Sequence, residues 1–234
     1  MRMWWGEGHP GKDDGQGWAI PDPFSRIAFR KVPADRGRAL GRDQIRQLLT
    51  SKQVPLRERL LWTMLYETGA RVNEVLSLDL EGLDRANMQA RVTRKGGAAD
   101  TIVWKTATKR LLTMYLDAKA GGHAHGPVFV TARAGKSDSR IGPGDLDEHG
   151  RARLSYSQAE DLFKHWTAAL LGKPATLHQL RHSALTHDAE DGWDVTMLKT
   201  KSGHTSLRSL ERYARPSTEA LARMQREHDQ NRRH

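Results

Sequence analysis

Three side chains suited to binding and reacting with an anion lie close together in HQLRHS, residues 178–183. Thr176 predicts a helix N-cap before them, and spacings of three and four residues place His178, Arg181 and His182 on one side of that helix. A permanent cation would then stand beside two titratable rings. A solvated helix face has the same composition, so this stretch alone leaves both interpretations open.

Two further candidates follow. His204 comes directly after Gly203 at a predicted helix end, and Tyr213 stands nine residues later, in the segment SLERYARP. The apolar residues Leu207 and Leu210 predict a short helix with one buried side. A tyrosine in such a helix is usually a half-buried core aromatic, so Tyr213 by itself does not establish a nucleophile.

Earlier in the chain, ETGARVNEVLSL places Arg71 and Glu74 three residues apart on a predicted short helix. The carboxylate would either orient the guanidinium from behind a site or form a plain surface ion pair with it.

Lys95 lies in TRKGGAADTIVW, where two glycines give a predicted hairpin its turn. With Arg94 beside it and Lys105 across the hairpin, an ordinary charge at the hairpin tip is the alternative interpretation.

These residues need a scaffold, and hydrophobic periodicity predicts an α+β fold that is mainly α-helical with a small antiparallel β-sheet. MQARVTR and DTIVWK are the predicted strands. Asp43 is the expected N-cap of the first helix, and Gly69 ends the second. The predicted helices are DQIRQLLTSK, LRERLLWTMLYETG, ARVNEVLSLDL, ATKRLLTMYLDAK, SYSQAEDLFKHWTAALL, 176 to about 191, about 195 to 202, about 206 to 214, and 217 onward.

Three regions are expected along the chain. Residues 1–38, with Trp4, Trp5 and Trp18, predict a loose arm whose aromatics could dock on the main body. Residues 39–216 form the main domain, and residues 217–234 a C-terminal helix or tail. Within the main domain, the polar, Gly-rich stretch 132–153 predicts a surface loop of uncertain order, in which the acidic DLDEH is interpreted as structural or solvated rather than metal-binding.

Composition narrows the partners. Lys plus Arg number 38 against 28 Asp plus Glu, a formal charge of +10 that favours nucleic acid first and an anionic membrane surface second. Because there is neither a long apolar run nor a hydrophobic signal core, we expect a cytoplasmic protein without membrane contact. The absence of cysteine excludes disulfides, thiolate metal sites and a cysteine nucleophile. No GxxxxGK[ST] phosphate loop is present, and neither a cofactor nor a metal is expected.

Together these segments resemble the catalytic domain of the tyrosine recombinases, the phage integrase family. ETGARVNEVLSL resembles the family's first arginine box, HQLRHS its His-x-x-Arg box, SGHTS its Gly-His segment, and LERY the segment bearing the nucleophilic tyrosine. Lys95 corresponds to the lysine of the family's hairpin. The similarity runs from about Arg42 to about Leu221 and identifies residues 39–216 as the catalytic domain.

The resemblance implies DNA strand cleavage and rejoining through a covalent 3′-phosphotyrosyl intermediate. Arg71, Arg181 and His204 would bind the phosphate that Tyr213 attacks. No nucleotide cofactor would be needed, since the new ester stores roughly the free energy of the bond it replaces.

Proton transfer is assigned by the same resemblance. His178 would help the phenol lose its proton, and Lys95 would protonate the departing 5′ oxygen. Glu74 and His182 would support the site from behind. Double-stranded DNA is the implied partner, together with a homotetramer on that DNA or a partner recombinase.

Two departures from the family stand out. The arm of about 38 residues cannot be the helical DNA-binding domain that usually precedes the catalytic one. Ser202 stands where the family usually has an apolar residue before Gly-His, which we expect to weaken packing but not chemistry.

Three other functions remain open from the sequence. A type IB topoisomerase uses similar groups as a monomer, and a non-catalytic DNA-binding relative would have kept only the fold. A basic RNA-binding protein is less consistent with the sequence, which lacks RRM-like and KH-like signatures.

Overall fold

The computed structural model describes residues 39–94, 96–118, 125–134 and 142–204, together with residues 210, 213, 225 and 226. This part of the chain is mainly helical with one three-stranded antiparallel sheet, so the predicted fold class is confirmed. Its helices are α1 (Arg42–Thr50), α2 (Leu56–Thr68), α3 (Val72–Leu76), α4 (Thr106–Ala118), α5 (Tyr156–Leu171), α6 (Leu177–Glu190) and α7 (Val195–Ser202). Its strands are β1 (Leu83–Asp84), β2 (Gln89–Thr93) and β3 (Ala99–Val103).

Helix α2 lies at the centre of the core, packed against α1, α4 and α6. Its six consecutive residues 60–65 are all buried, as expected for a helix surrounded by other helices. Trp62 is fully buried and meets Phe163 of α5 edge to face, with ring centroids 5.2 Å apart. The helix ends at Gly69 in a left-handed conformation (φ 59°), which confirms the predicted stop.

The sheet follows the order β1-β2-β3, with Ala90 of β2 opposite Ile102 of β3. Both side chains are buried, whereas the residues next to them on the same strand are more exposed. This alternation is what a half-buried hairpin requires. Gly96 and Gly97 both have positive φ, 98° and 85°, in the turn between the strands. Strand β1 was not predicted, because two residues are too few to show a period.

Capping fixes where the site-bearing helices begin. Thr176 accepts a hydrogen bond from the Gln179 amide at 3.1 Å, which confirms it as the cap of α6. The cap predicted for α1 is wrong. Gly41 occupies that position, whereas Asp43 lies inside the first turn and pairs with Arg46 at 3.0 Å.

The described part of the Gly-rich stretch is tied to the domain by Arg153. Its guanidinium binds Asp145 and Asp79, each at 2.7 Å, and the Leu76 carbonyl at 3.0 Å. Asp147 pairs with Arg151 at 2.6 Å. Two carboxylates of the DLDEH segment are therefore structural ion-pair partners.

Several predictions lie outside the described residues: the arm 1–38, Lys95, most of the predicted helix 206–214, and the C-terminal segment apart from residues 225 and 226. Every helix in the described part of the chain is too short or too polar to cross a bilayer.

Candidate active site

One pocket of about 520 Å³ collects side chains from five separate elements. α3, the end of β2, the start of α5, the first turns of α6 and the turn after α7 all contribute. Among the residues that line it are Arg71, Glu74, Arg94, Tyr156, His178, Arg181 and His204.

Arg71 is the N-cap of α3 and is held by Glu74 in the first turn of the same helix. Its Nη1 donates to Glu74 Oε1 at 2.9 Å, and its backbone amide donates to Oε2 at 2.8 Å. The Glu74 side chain is only 4% exposed, whereas that of Arg71 is 34% exposed. The pair is therefore no plain surface ion pair: a buried carboxylate fixes a guanidinium that solvent can still reach.

Arg181 of α6 is buried. Its Nη2 donates to the Ser202 carbonyl at 2.8 Å, and no protein atom in the described part of the chain accepts from its buried Nη1. Burial, followed by the charge of Arg71, lowers the pKa of Arg181 to about 10. The group still carries its charge at neutral pH, so Arg71 and Arg181 repel each other and an anion between them would offset that repulsion.

The end of α7 organises the arginines. Three successive carbonyls, at Lys201, Ser202 and Gly203, accept hydrogen bonds from Arg94, Arg181 and Arg71 in that order, at 3.4, 2.8 and 3.5 Å. A helix C-terminus leaves such carbonyls without partners inside the helix, and its dipole favours cations.

His204 follows this helix end and contacts Ser202. Ser202 Oγ lies 2.5 Å from His204 Nδ1 and donates to the Leu198 carbonyl at 2.6 Å. Ser202 is fully buried, and the expectation of weaker packing did not include the contact of its hydroxyl with the imidazole. Sequence reasoning missed this contact, since apart from its adjacency to Gly-His nothing distinguishes this serine from others in the chain.

Tyr213 is buried, and its hydroxyl lies 2.9 Å from Nδ1 of His182, with the two ring centroids 5.1 Å apart. Within the described residues Tyr213 is not among those lining the pocket, although its phenol is close enough to influence the pKa of Arg181. His178, one turn before His182, does line the pocket. The structure thus brings His182 against Tyr213 and His178 into the lining of the pocket.

The candidate residues predicted from the sequence therefore fall into three groups. Around the pocket lie Arg71, Glu74, His178, Arg181 and His204. Tyr213 and His182 form a buried pair beside it. Lys95 lies outside the described residues.

Comparisons with known proteins identify the family to which the chain belongs. The model of the phage integrase family matches residues 38–220. Tyrosine recombinase XerC of Mycobacterium leprae (strain TN) is 31% identical over 228 residues, covering 92% of this chain and 70% of that protein. Tyrosine recombinase XerC of Pelobacter propionicus is 30% identical over 166 residues, covering 71% of this chain and 50% of that protein.

Solved structures show the same fold. The crystal structure of XerA recombinase superposes with a TM-score of 0.64 at 22% identity, covering 81% of this chain and 65% of that one. The Tn1549 transposon integrase in complex with circular intermediate DNA superposes with a TM-score of 0.58 at 18% identity, covering 81% of this chain and 66% of that one. From the family match and the XerC similarity it follows that the chain belongs to the phage integrase family, the tyrosine-type site-specific recombinases.

Proposed function

We propose that this chain cleaves and rejoins double-stranded DNA through Tyr213 in site-specific recombination. The observation that carries the proposal is the convergence of Arg71, Arg181 and His204 on one pocket beside a buried phenol. The excess of basic residues, +10 in formal charge, suits a duplex phosphate backbone and makes binding salt-dependent.

The pocket supplies what a pentavalent phosphorus needs. Arg71 and Arg181 would bind the two non-bridging oxygens with fixed, permanently charged donors, and His204 would add a hydrogen bond to the same phosphate. Because Glu74 and the carbonyls at the end of α7 already hold these donors, little reorganisation is needed as negative charge grows.

The proposed reaction makes one bond to phosphorus and breaks another. Tyr213 Oη would bond to phosphorus while the bond from phosphorus to the 5′ oxygen breaks, leaving a 3′-phosphotyrosyl ester. His182 would orient the phenol, and His178, which lines the pocket, would take its proton as attack begins. Lys95 would protonate the departing 5′ oxygen. A free 5′ hydroxyl can then reverse the reaction on another strand.

Strand exchange between two duplexes needs four such sites, so we propose a tetramer on DNA, of this chain alone or with a partner recombinase, acting in the cytoplasm. The relatives with which the chain is compared are recombinases, which favours this function over relaxation of supercoils by a type IB topoisomerase. The set of reactive groups also exceeds what a purely DNA-binding relative would need.

The test uses a pool of nicked duplexes with a randomised centre. After cleavage, the short fragment that bears the free 5′ hydroxyl diffuses away, and its loss traps the covalent intermediate. Wild-type protein should form a denaturation-resistant adduct on a subset of sequences, and Tyr213→Phe should bind the same duplexes without forming one. Tyr156→Phe is the matched control, since Tyr156 is the phenol that lines the pocket. Wild-type protein that binds duplexes but forms no adduct would contradict the proposal.

A further inference from the structure

Arg94 is a buried arginine whose role the recombination chemistry does not account for. It follows β2 directly, its side chain is 6% exposed, and Lys95 is the next residue in the sequence. A guanidinium this deeply buried is costly unless ion pairs and hydrogen bonds satisfy it. Its contacts therefore indicate what it is for.

The first contact is with Glu74. Arg94 Nη1 donates to Glu74 Oε2 at 2.5 Å, while Glu74 Oε1 accepts from Arg71 at 2.9 Å. One buried carboxylate thus lies between two guanidiniums, of which only Arg71 is open to solvent. Any shift of Arg94 would move the carboxylate that orients Arg71.

The second contact is with the turn that carries His204. Arg94 donates to the Lys201 carbonyl at 3.4 Å, and its guanidinium packs closely against Gly203. A Cβ at Gly203 would come within 2.5 Å of Arg94 Cζ, and Gly203 itself has φ +62°. Only glycine lets the arginine approach this closely.

The third contact is with the hairpin. Arg94 Nε donates to Asp100 Oδ2 at 2.8 Å, across the turn from β2 to β3. Burial opposes ionisation of Asp100, but the hydrogen bond from Arg94, the hydrogen bond from the Thr101 amide and the charge of Arg94 together outweigh it and lower the pKa of Asp100. Arg94 therefore connects the hairpin to α3 and to the end of α7.

We infer that Arg94 is a positioning residue for strand cleavage, one that sets Arg71 through Glu74 and the Gly203-His204 turn through direct packing. The inference rests on the proposed cleavage by Tyr213 and assigns that site a further residue that does not touch the phosphate. From the sequence, Arg94 is only a cation next to Lys95 that makes the assignment of Lys95 less specific.

The experiment measures single-turnover adduct formation at saturating concentration of a nicked duplex recovered from the randomised pool. Arg94→Met keeps much of the aliphatic stem and removes the charge, and its rate should fall on the order of 100-fold, the cost of a misplaced reacting group. Arg94→Lys should lie between Arg94→Met and wild type, because an ammonium can pair with Glu74 but lacks the planar fork. Arg110→Met, an exposed arginine on α4, is the matched control and should keep the wild-type rate.

Two readouts separate positioning from general stability. A positioning role lowers the rate constant while the fraction of molecules that reach the adduct stays at the wild-type level; a merely structural role lowers that fraction instead. Asp100→Asn breaks only the outer ion pair, so it should react close to the wild-type rate. If Asp100→Asn were as slow as Arg94→Met, Arg94 would serve only the hairpin, and the inference would be wrong.

A duplex with sulfur in place of the scissile 5′ oxygen tests whether Arg94 acts on proton donation to the leaving group or on the position of Arg71 and the Gly203-His204 turn. A thiolate leaves without a proton, so this substrate should restore variants that lack proton donation, as we expect for Lys95→Ala. The Arg94→Met defect should persist, because it acts through Arg71 and the turn. Recovery of Arg94→Met on this substrate, or a rate equal to that of Arg110→Met on the ordinary one, would overturn the inference. Absence of an adduct with wild-type protein would instead contradict the proposed function.

Discussion

The hydroxyl of Tyr213 lies 2.9 Å from Nδ1 of His182, inside the domain and not among the side chains that line the pocket. Both residues are buried, at 9% exposure each, so water competes little with this hydrogen bond. The phenol is thereby held near Arg181 before any DNA is bound.

Replacing His182 should therefore slow cleavage. For His182→Leu we expect a fall on the order of 100-fold in the rate of adduct formation, because the phenol loses the group that orients it. DNA affinity, measured by fluorescence anisotropy, should stay unchanged. A faster rate would instead show that the hydrogen bond keeps Tyr213 away from the phosphate.

The two pocket arginines should not tolerate lysine. In Arg71→Lys and Arg181→Lys the point charge remains but the bidentate fork is lost, so cleavage should fall by about 100- to 1000-fold. Arg110→Lys, on the exposed face of α4, should react like wild type. Single-turnover rates decide the matter, and equal rates in all three variants would mean that charge alone suffices.

Ser202 should affect chemistry as well as packing. Removing its hydroxyl in Ser202→Ala frees His204 Nδ1 from a 2.5 Å contact, and cleavage should slow by about 10-fold or more. Ser183→Ala is the control, since Ser183 is equally buried on α6 and bonds to Gln179 and Leu40 instead. Both variants should lose about 1 kcal/mol of unfolding free energy in urea. An equal cleavage rate in both would remove Ser202 from the site.

Stability should fall in mild acid through His187. Burial, and then the charge of Arg42, lowers the pKa of His187, while burial raises the pKa of Tyr66 to about 12. Tyr66 therefore stays a phenol, and its hydroxyl lies within hydrogen-bond distance of His187 Nδ1, at 2.6 Å.

The sign follows from proton counts. Unfolded His187, with an ordinary pKa of about 6.5, binds more protons than the folded form as pH falls through that value, so acid favours unfolding. The urea midpoint should drop between about pH 7.5 and 5.5, and less steeply in His187→Gln, which retains a hydrogen-bonding side chain. Identical slopes for the two proteins would contradict this assignment.

The fold could be predicted largely from the sequence because its helices have strong local signals. Gly69 ends a helix because glycine readily adopts the left-handed conformation, and Thr176 begins one because its hydroxyl accepts a hydrogen bond from a backbone amide. Both positions can be recognised from the residue type alone. Asp43 misled because a carboxylate suits the first turn nearly as well as the cap.

The site was only partly predictable. The sequence motifs indicate which side chains come together. The particular oxygen or nitrogen atom that each side chain contacts depends on tertiary packing. Arg94 and Lys95 are adjacent cations in the sequence, and burial against Gly203 distinguishes the role of Arg94. Likewise, only the structure shows that His182 touches Tyr213.

The central claim is that the phenol of Tyr213 becomes bonded to DNA. The most direct measurement is mass spectrometry of the trapped adduct after digestion with protease and nuclease. The account predicts a nucleotide remnant, linked through its 3′ phosphate, on the peptide that contains Tyr213. A remnant on Tyr156, which lines the pocket, or on any other residue would contradict it.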